Sequence, residues 1–160
     1  MGRGSRAFYE YDPSRSGKVP LRLLDGFTGV LQSDGYAGYD EVGSRPGVVH
    51  VGCWVHARRK FDEAVKSLRA NERKASSAKE TLALQTLRQI AALYAIERTI
   101  AEATPEERLR VRGERFRPLI EALRGWLTDA LPRVAPQTLT GKALAYLEPA
   151  AQACTPRSDL

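Results

Sequence analysis

Cysteine is scarce in this chain, with Cys53 and Cys154 as its two examples in 160 residues. They lie far apart, and neither has a second cysteine three residues away. A structural zinc site and a disulfide framework are therefore excluded. No run approaches the roughly 18 apolar residues of a membrane-spanning helix. The opening Met1-Gly2-Arg3-Gly4-Ser5-Arg6 has no apolar stretch after it of the kind a secretory signal needs. These absences predict a soluble cytoplasmic protein with no membrane role. No stretch resembles a cofactor-binding box.

What the chain does have is positive charge. Its formal net charge is +6, mostly from arginine, and its pI is near 9.6. Such a balance suits a polyanionic partner, of which nucleic acid is the commonest. A solvated basic surface would give the same arithmetic. The hydrophobic fraction of 42% is that of a globular chain, and the length allows one ordinary domain with its own core.

Strand signals fill the first third. Residues 7–11 are aromatic-rich, residues 28–33 run into Asp34, and residues 48–55 are rich in valine. Between them come the Asp12-Pro13-Ser14 turn, a short apolar stretch at Leu21–Leu24 suited to a brief helix, and a loop at residues 43–47. From Ala57 the period changes to that of a helix, with Phe61, Ala64, Val65 and Leu68 on one face. Residues 71–77 read as a break. Residues 78–103 read as a long helix carrying a Leu84, Leu87, Ala91, Tyr94 stripe, widened by Leu93, Ile96 and Ile100. That stripe suits a core or a surface for a second copy of the chain.

Thr104-Pro105-Glu106-Glu107 is a helix start, with Thr104 as N-cap, Pro105 at the first position and Glu107 completing a capping box. Gly113 and Pro118 predict an interruption near residues 113–118. Residues 119–131 and 139–153 read as two further helices, the second interrupted by Pro149. Three short strands do not make a well-covered sheet, so either the helices shelter a small one or further strands belong to it.

Two stretches carry the chemical signal. The first is Gly29-Val30-Leu31-Gln32-Ser33-Asp34-Gly35-Tyr36-Ala37-Gly38-Tyr39, a carboxylate at a strand end followed by a Gly-aromatic turn. The second is Gly52-Cys53-Trp54-Val55-His56-Ala57-Arg58-Arg59-Lys60-Phe61, a strand leading into a basic helix. A carboxylate so placed suits a divalent cation, and a basic first turn suits phosphate. Each has a plainer reading. Asp before Gly is common in turns, where its side chain bonds nearby amides. Arg58, Arg59 and Lys60 also suit a solvated helix face, although cations near a helix N-terminus oppose its dipole. His56 suits either a phosphate contact or a structural place at the strand-to-helix junction. Cys53 and Trp54 suit a core. Tyr36 and Tyr39 suit turn packing or stacking on a base.

Together the two stretches resemble the central part of a transposase of the insertion sequence 66 family. Tyr9-Glu10-Tyr11-Asp12-Pro13-Ser14-Arg15 and Gly141-Lys142-Ala143-Leu144-Ala145-Tyr146 extend the resemblance over roughly residues 7–150. The resemblance implies a DNA-recombining enzyme with a ribonuclease-H-like core and an Asp-Asp-Glu set that holds Mg2+. It implies an α+β fold in which residues 7–61 form a partial ribonuclease-H-like core of about three strands. Residues 57–153 would then be a mostly helical insertion, and residues 154–160 an unstructured tail. Asp34 is implied as the second acid and metal ligand. His56, Arg58, Arg59 and Lys60 are implied as the nucleic-acid contacts.

The family's first aspartate precedes the strand at Phe8-Tyr9. Its glutamate sits in an Asn-Asn-x-x-Glu-Arg segment after the Gly141–Tyr146 helix. Neither is matched here, and Asp12, Glu148 and Asp159 do not substitute. The expectation is a transposase fragment, truncated at both ends, with one of three catalytic acids and no activity alone. Two other readings stay open: a non-catalytic DNA-binding or regulatory remnant, and a helical interaction protein.

Overall fold

The computed structural model describes residues 9–14, 16–68 and 81–153. Its first helix, α1 (Lys18–Leu23), is one short turn and a half ahead of strand β1 (Gly29–Ser33). A 3-10 turn (Ala37–Tyr39) and the brief α2 (Asp40–Gly43) carry the chain to β2 (Val48–Gly52). β2 lies parallel to β1, pairing Gly29 with Val48 and Ser33 with Gly52. Parallel strands need such a crossover because a two-residue turn cannot return the chain to the same end. Gly47, with φ +80, sits at the close approach that starts β2, and its carbonyl accepts from the Gly29 N–H at 2.8 Å.

The sheet is smaller than the sequence suggests. Among the described residues it has two strands. Residues 7 and 8 lie outside the described residues, and Tyr9, Glu10 and Tyr11 form no strand. Tyr9 and Tyr11 are 92% and 88% exposed. An aromatic run has strand propensity, but here the segment joins neither β1 nor β2. Arg22 of α1 pairs with Glu10 instead. The valine run also ends earlier than expected. β2 stops at Gly52, Cys53 is the N-cap, and helix α3 (Trp54–Lys66) already contains Trp54, Val55 and His56.

α3 buries Ala57, Phe61 and Ala64, the face its period predicts. The expected break at residues 71–77 lies outside the described residues. Helix α4 (Leu82–Thr99) starts at the N-cap Thr81, whose hydroxyl accepts from the Leu84 N–H at 3.3 Å. Its buried stripe is Ala83, Thr86, Ile90, Leu93 and Ile96. Leu93, Ile96 and Ile100, expected to widen the stripe, are buried, while Leu84, Leu87 and Tyr94 are half-buried and Ala91 is exposed. Thr86 is tolerated at full burial because its hydroxyl donates to the Leu82 carbonyl at 2.8 Å.

Helix α5 (Pro105–Val111) is capped as expected, the Thr104 hydroxyl accepting from the Glu107 N–H at 3.2 Å. The Glu107 side chain does not complete the box; it pairs with Arg110. The predicted interruption takes the form of a π-helical turn (Arg112–Phe116) that runs straight into α6 (Arg117–Ala130). Pro118 falls in the first turn of α6, directly after the wider π-helical turn. A 3-10 turn (Leu131–Arg133) accommodates Pro132, and α7 (Leu139–Ala153) continues through Pro149. Residues 154–160 lie outside the described residues.

α7 is the centre of the assembly. It packs on α3, on α6 and on β2, while α4 packs between α3 and α6. Phe61, Ile90, Ile120, Leu123, Leu127, Leu144 and Leu147 form a core of fully buried side chains. At the sheet, Gly52 lets the two layers meet: a Cβ there would lie 2.9 Å from the Ala150 Cβ. The chain is thus mixed helix and sheet, predominantly helical. No helix among the described residues is long and apolar enough to cross a membrane.

Candidate functional site

Asp34 follows the last residue of β1 and is exposed. The residues around it fix the backbone. Ser33 is buried, and its Oγ shares a 2.8 Å hydrogen bond with His50 Nε2 on β2 while accepting from the Gly35 N–H at 3.3 Å. The Asp34 Oδ1 accepts from the Tyr36 N–H at 3.0 Å, so the carboxylate closes its own turn. Gly35 has φ +83, a conformation that strains any residue with a Cβ. A Cβ there would also lie 2.3 Å from Cε2 of Tyr146. The Tyr146 ring, carried by α7, therefore lies directly against the Asp34 turn.

Tyr146 gathers much of the remaining site. Lys60 Nζ stands 4.9 Å from its ring centroid, in cation–π range. Burial pushes the Tyr146 phenol above its usual pKa. Cys53, Asp34 and Arg59 are close enough to act on it electrostatically, Asp34 raising it further and Arg59 opposing. A hydrogen bond with the Cys53 backbone opposes that rise, and the Oη itself is buried.

The sequence-predicted residues divide between two sides of α3. Asp34, Arg59 and Lys60 collect around Tyr146. Arg58, one position earlier, acts on Tyr94 of α4 instead and makes a long 4.0 Å contact with Asp62. Consecutive helix positions are about 100° apart, so the three cations fan around α3 and do not point the same way. All three are exposed. His56 is half-buried, with its Nδ1 buried and without a hydrogen-bond partner. The first turn of α3 holds no acid, and the N-cap Cys53 makes no side-chain capping bond.

A pair of magnesium ions needs several carboxylate oxygens from converging elements. Among the described residues no group of three or more His, Cys, Asp or Glu side chains is placed to hold a metal ion. Asp34 alone does not fit an ion pair. The arrangement can present one carboxylate beside cations and a buried phenol; by itself it cannot gather two metals.

Tyr146 and Gln32 carry weight that motif reading did not assign to them. Tyr146 appears in the sequence only as the end of a Gly-Lys-Ala-Leu-Ala-Tyr run. Asp34-Gly35 announces a tight turn, but not which side chain presses on it. Gln32 lines the hollow of about 640 Å3 beside Asp34, whose other walls include Leu24, Ser33 and Tyr36.

The sequence model of the Transposase IS66 family matches residues 4–155. Among curated proteins, the chain is 34% identical over 129 residues to the uncharacterized protein y4hP of Sinorhizobium fredii (strain NBRC 101917 / NGR234), covering 76% of this chain and 23% of that protein. It is 32% identical over 144 residues to the uncharacterized protein y4jD of the same organism, covering 86% of this chain and 26% of that one. It thus spans about a quarter of the length of these relatives. No solved structure matches it significantly. With most of its length under that match, the chain belongs to the insertion sequence 66 family of transposases.

Proposed function

We propose that this chain is the Asp34-bearing part of a transposase catalytic domain. In this reading β1, β2 and α3 are a portion of a ribonuclease-H-like core, and α4 to α6 belong to its helical insertion. Asp34 is one ligand of a two-ion magnesium site that cleaves and joins DNA in the full-length family. The chain binds DNA backbone through Arg59 and Lys60 on one side of α3 and Arg58 on the other. Alone it does not cleave DNA.

One observation carries this reading. A carboxylate stands at the end of a parallel strand, in a turn that packs on Tyr146, whose ring also meets Lys60 of α3, with no metal-binding cluster around it among the described residues. Family membership supports DNA as the substrate. Two ions are needed to activate the nucleophile and stabilise the leaving oxygen, and one aspartate supplies too few ligands and too little charge.

Binding to duplex DNA across a salt series tests the interface. Affinity should fall linearly on a log–log plot, and removing Arg59 and Lys60 together should reduce the slope by about 2. A slope unchanged by that double substitution would move the interface elsewhere.

A further inference from the structure

A second, larger groove of about 960 Å3 opens beside the Asp34 hollow, and Gln32 lines both. Its volume falls at the upper end of the roughly 300–1,000 Å3 typical of small-ligand sites. Trp54 from the first turn of α3, Tyr94 from α4 and Phe116 from the π-helical turn line it, with Arg112 and Arg117. Leu109, also lining it, is 75% exposed. All three rings are partly buried against the hydrophobic core and also line the open hollow.

The charges indicate which occupant. Glu97 is the one acid of the groove wall, and Arg112 takes up its carboxylate through bonds of 2.9 and 2.7 Å. The wall is therefore not repulsive to phosphate. Arg117 touches Glu121 only at 3.6 Å, and Arg58, which acts on Tyr94, touches Asp62 only at 4.0 Å. Both can turn toward an anion at little cost, since exposed pairs of this kind contribute little. Aromatic residues with nearby arginines match a nucleic-acid strand whose bases are unstacked, because every base offers a π-face and every linkage a phosphate. Arg112, Gly113 and Phe116 of the wall belong to the π-helical turn, and such turns recur at functional sites.

We propose that this groove takes unstacked bases of single-stranded DNA, next to Asp34. The proposal rests on the reading that the chain acts on DNA and adds to it a base-stacking subsite. The strand's backbone runs past Arg58 and Arg117, and its bases enter between Trp54, Tyr94 and Phe116.

The test is binding of the whole chain to a labelled short oligothymidylate and to an abasic strand with the same number of phosphates, across a salt series. The oligothymidylate should bind about 5- to 150-fold more tightly per stacked base. Tyr94→Leu and Phe116→Leu keep apolar volume but remove the rings. Each should lower the ratio between the two strands by about fivefold or more, and leave abasic affinity and salt slope unchanged. Circular dichroism melting confirms that the variants fold, and Trp54→Leu extends the series if it does. Equal affinity for the two strands would overturn the proposal, as would variants that weaken both alike. If duplex DNA still binds in that case, the DNA reading survives and only the subsite falls. If no DNA binds at any salt, both fall.

Discussion

The helical half and the sheet half of this molecule are held by different means. In the helices, Phe61, Ile90, Leu123, Leu144 and Leu147 lose all contact with solvent. In the sheet, every residue of β2 is only half-buried, and Val30 of β1 is 66% exposed. A two-stranded parallel sheet is not stable by itself, so this one depends on what α7 and the crossover bring to it. The helices supply most of the buried core, and the Asp34 turn sits at the end of the weaker half. Tyr146 against Gly35 and Ala150 against Gly52 join the two.

Substitutions can break that contrast. The largest effect should come from Phe61→Ala, which removes a fully buried ring from the helical core and should cost about 3–5 kcal/mol in denaturant unfolding. Val30→Ala on the open side of the sheet should stay within about 0.5 kcal/mol. If the two cost the same, the division of labour is wrong.

Next in size is the joint at the site. Gly35→Ala puts a Cβ at φ +83 and into the Tyr146 ring, so it should cost roughly 1–3 kcal/mol and lower the melting temperature. In a Tyr146→Ala background the steric share disappears, and the same substitution should cost measurably less. Additive costs would mean that α7 does not hold the Asp34 turn. Thr104→Ala, which removes the cap of α5 far from the sheet, should cost about 1 kcal/mol by thermal melting, and DNA affinity should not change.

The smallest effect concerns pH. Hydrogen bonds from Arg112 hold the Glu97 carboxyl below its ordinary pKa. A carboxylate depressed on folding contributes stability above its unfolded pKa and loses it as pH falls through the folded one. The pair is partly exposed, so Glu97→Gln should cost no more than about 1 kcal/mol at neutral pH. The difference from the parent should vanish at acid pH. A difference that grows on acidification would contradict the assignment.

The sequence made the local rules legible and left the tertiary ones hidden. Thr104-Pro105 marked a helix start, and the 3.6-residue period picked out Phe61 and Ala64, because capping and amphipathicity are encoded within a few residues. The α4 stripe was legible in part: Leu93 and Ile96 are buried but Ala91 is exposed, since which face is buried depends on α3 and α6, and Thr86 hides its hydroxyl locally. The aromatic run at residues 9–11 signalled a strand, but pairing needs an edge that local sequence does not supply. At the site, Asp34 and its turn were readable from Ser33-Asp34-Gly35. The Tyr146 contact was not, because it joins residues more than a hundred positions apart. The division of Arg58 from Arg59 and Lys60 depends on where Tyr94 of α4 and Tyr146 of α7 lie around α3, which local sequence does not encode.

The central proposal is that Asp34, with no metal-binding cluster around it among the described residues, does not by itself support two-metal chemistry. Incubating the purified chain with magnesium and end-containing DNA tests it most directly. The account predicts binding without cleavage, and no difference between the parent and Asp34→Ala. Robust cleavage that Asp34→Ala abolishes would contradict it.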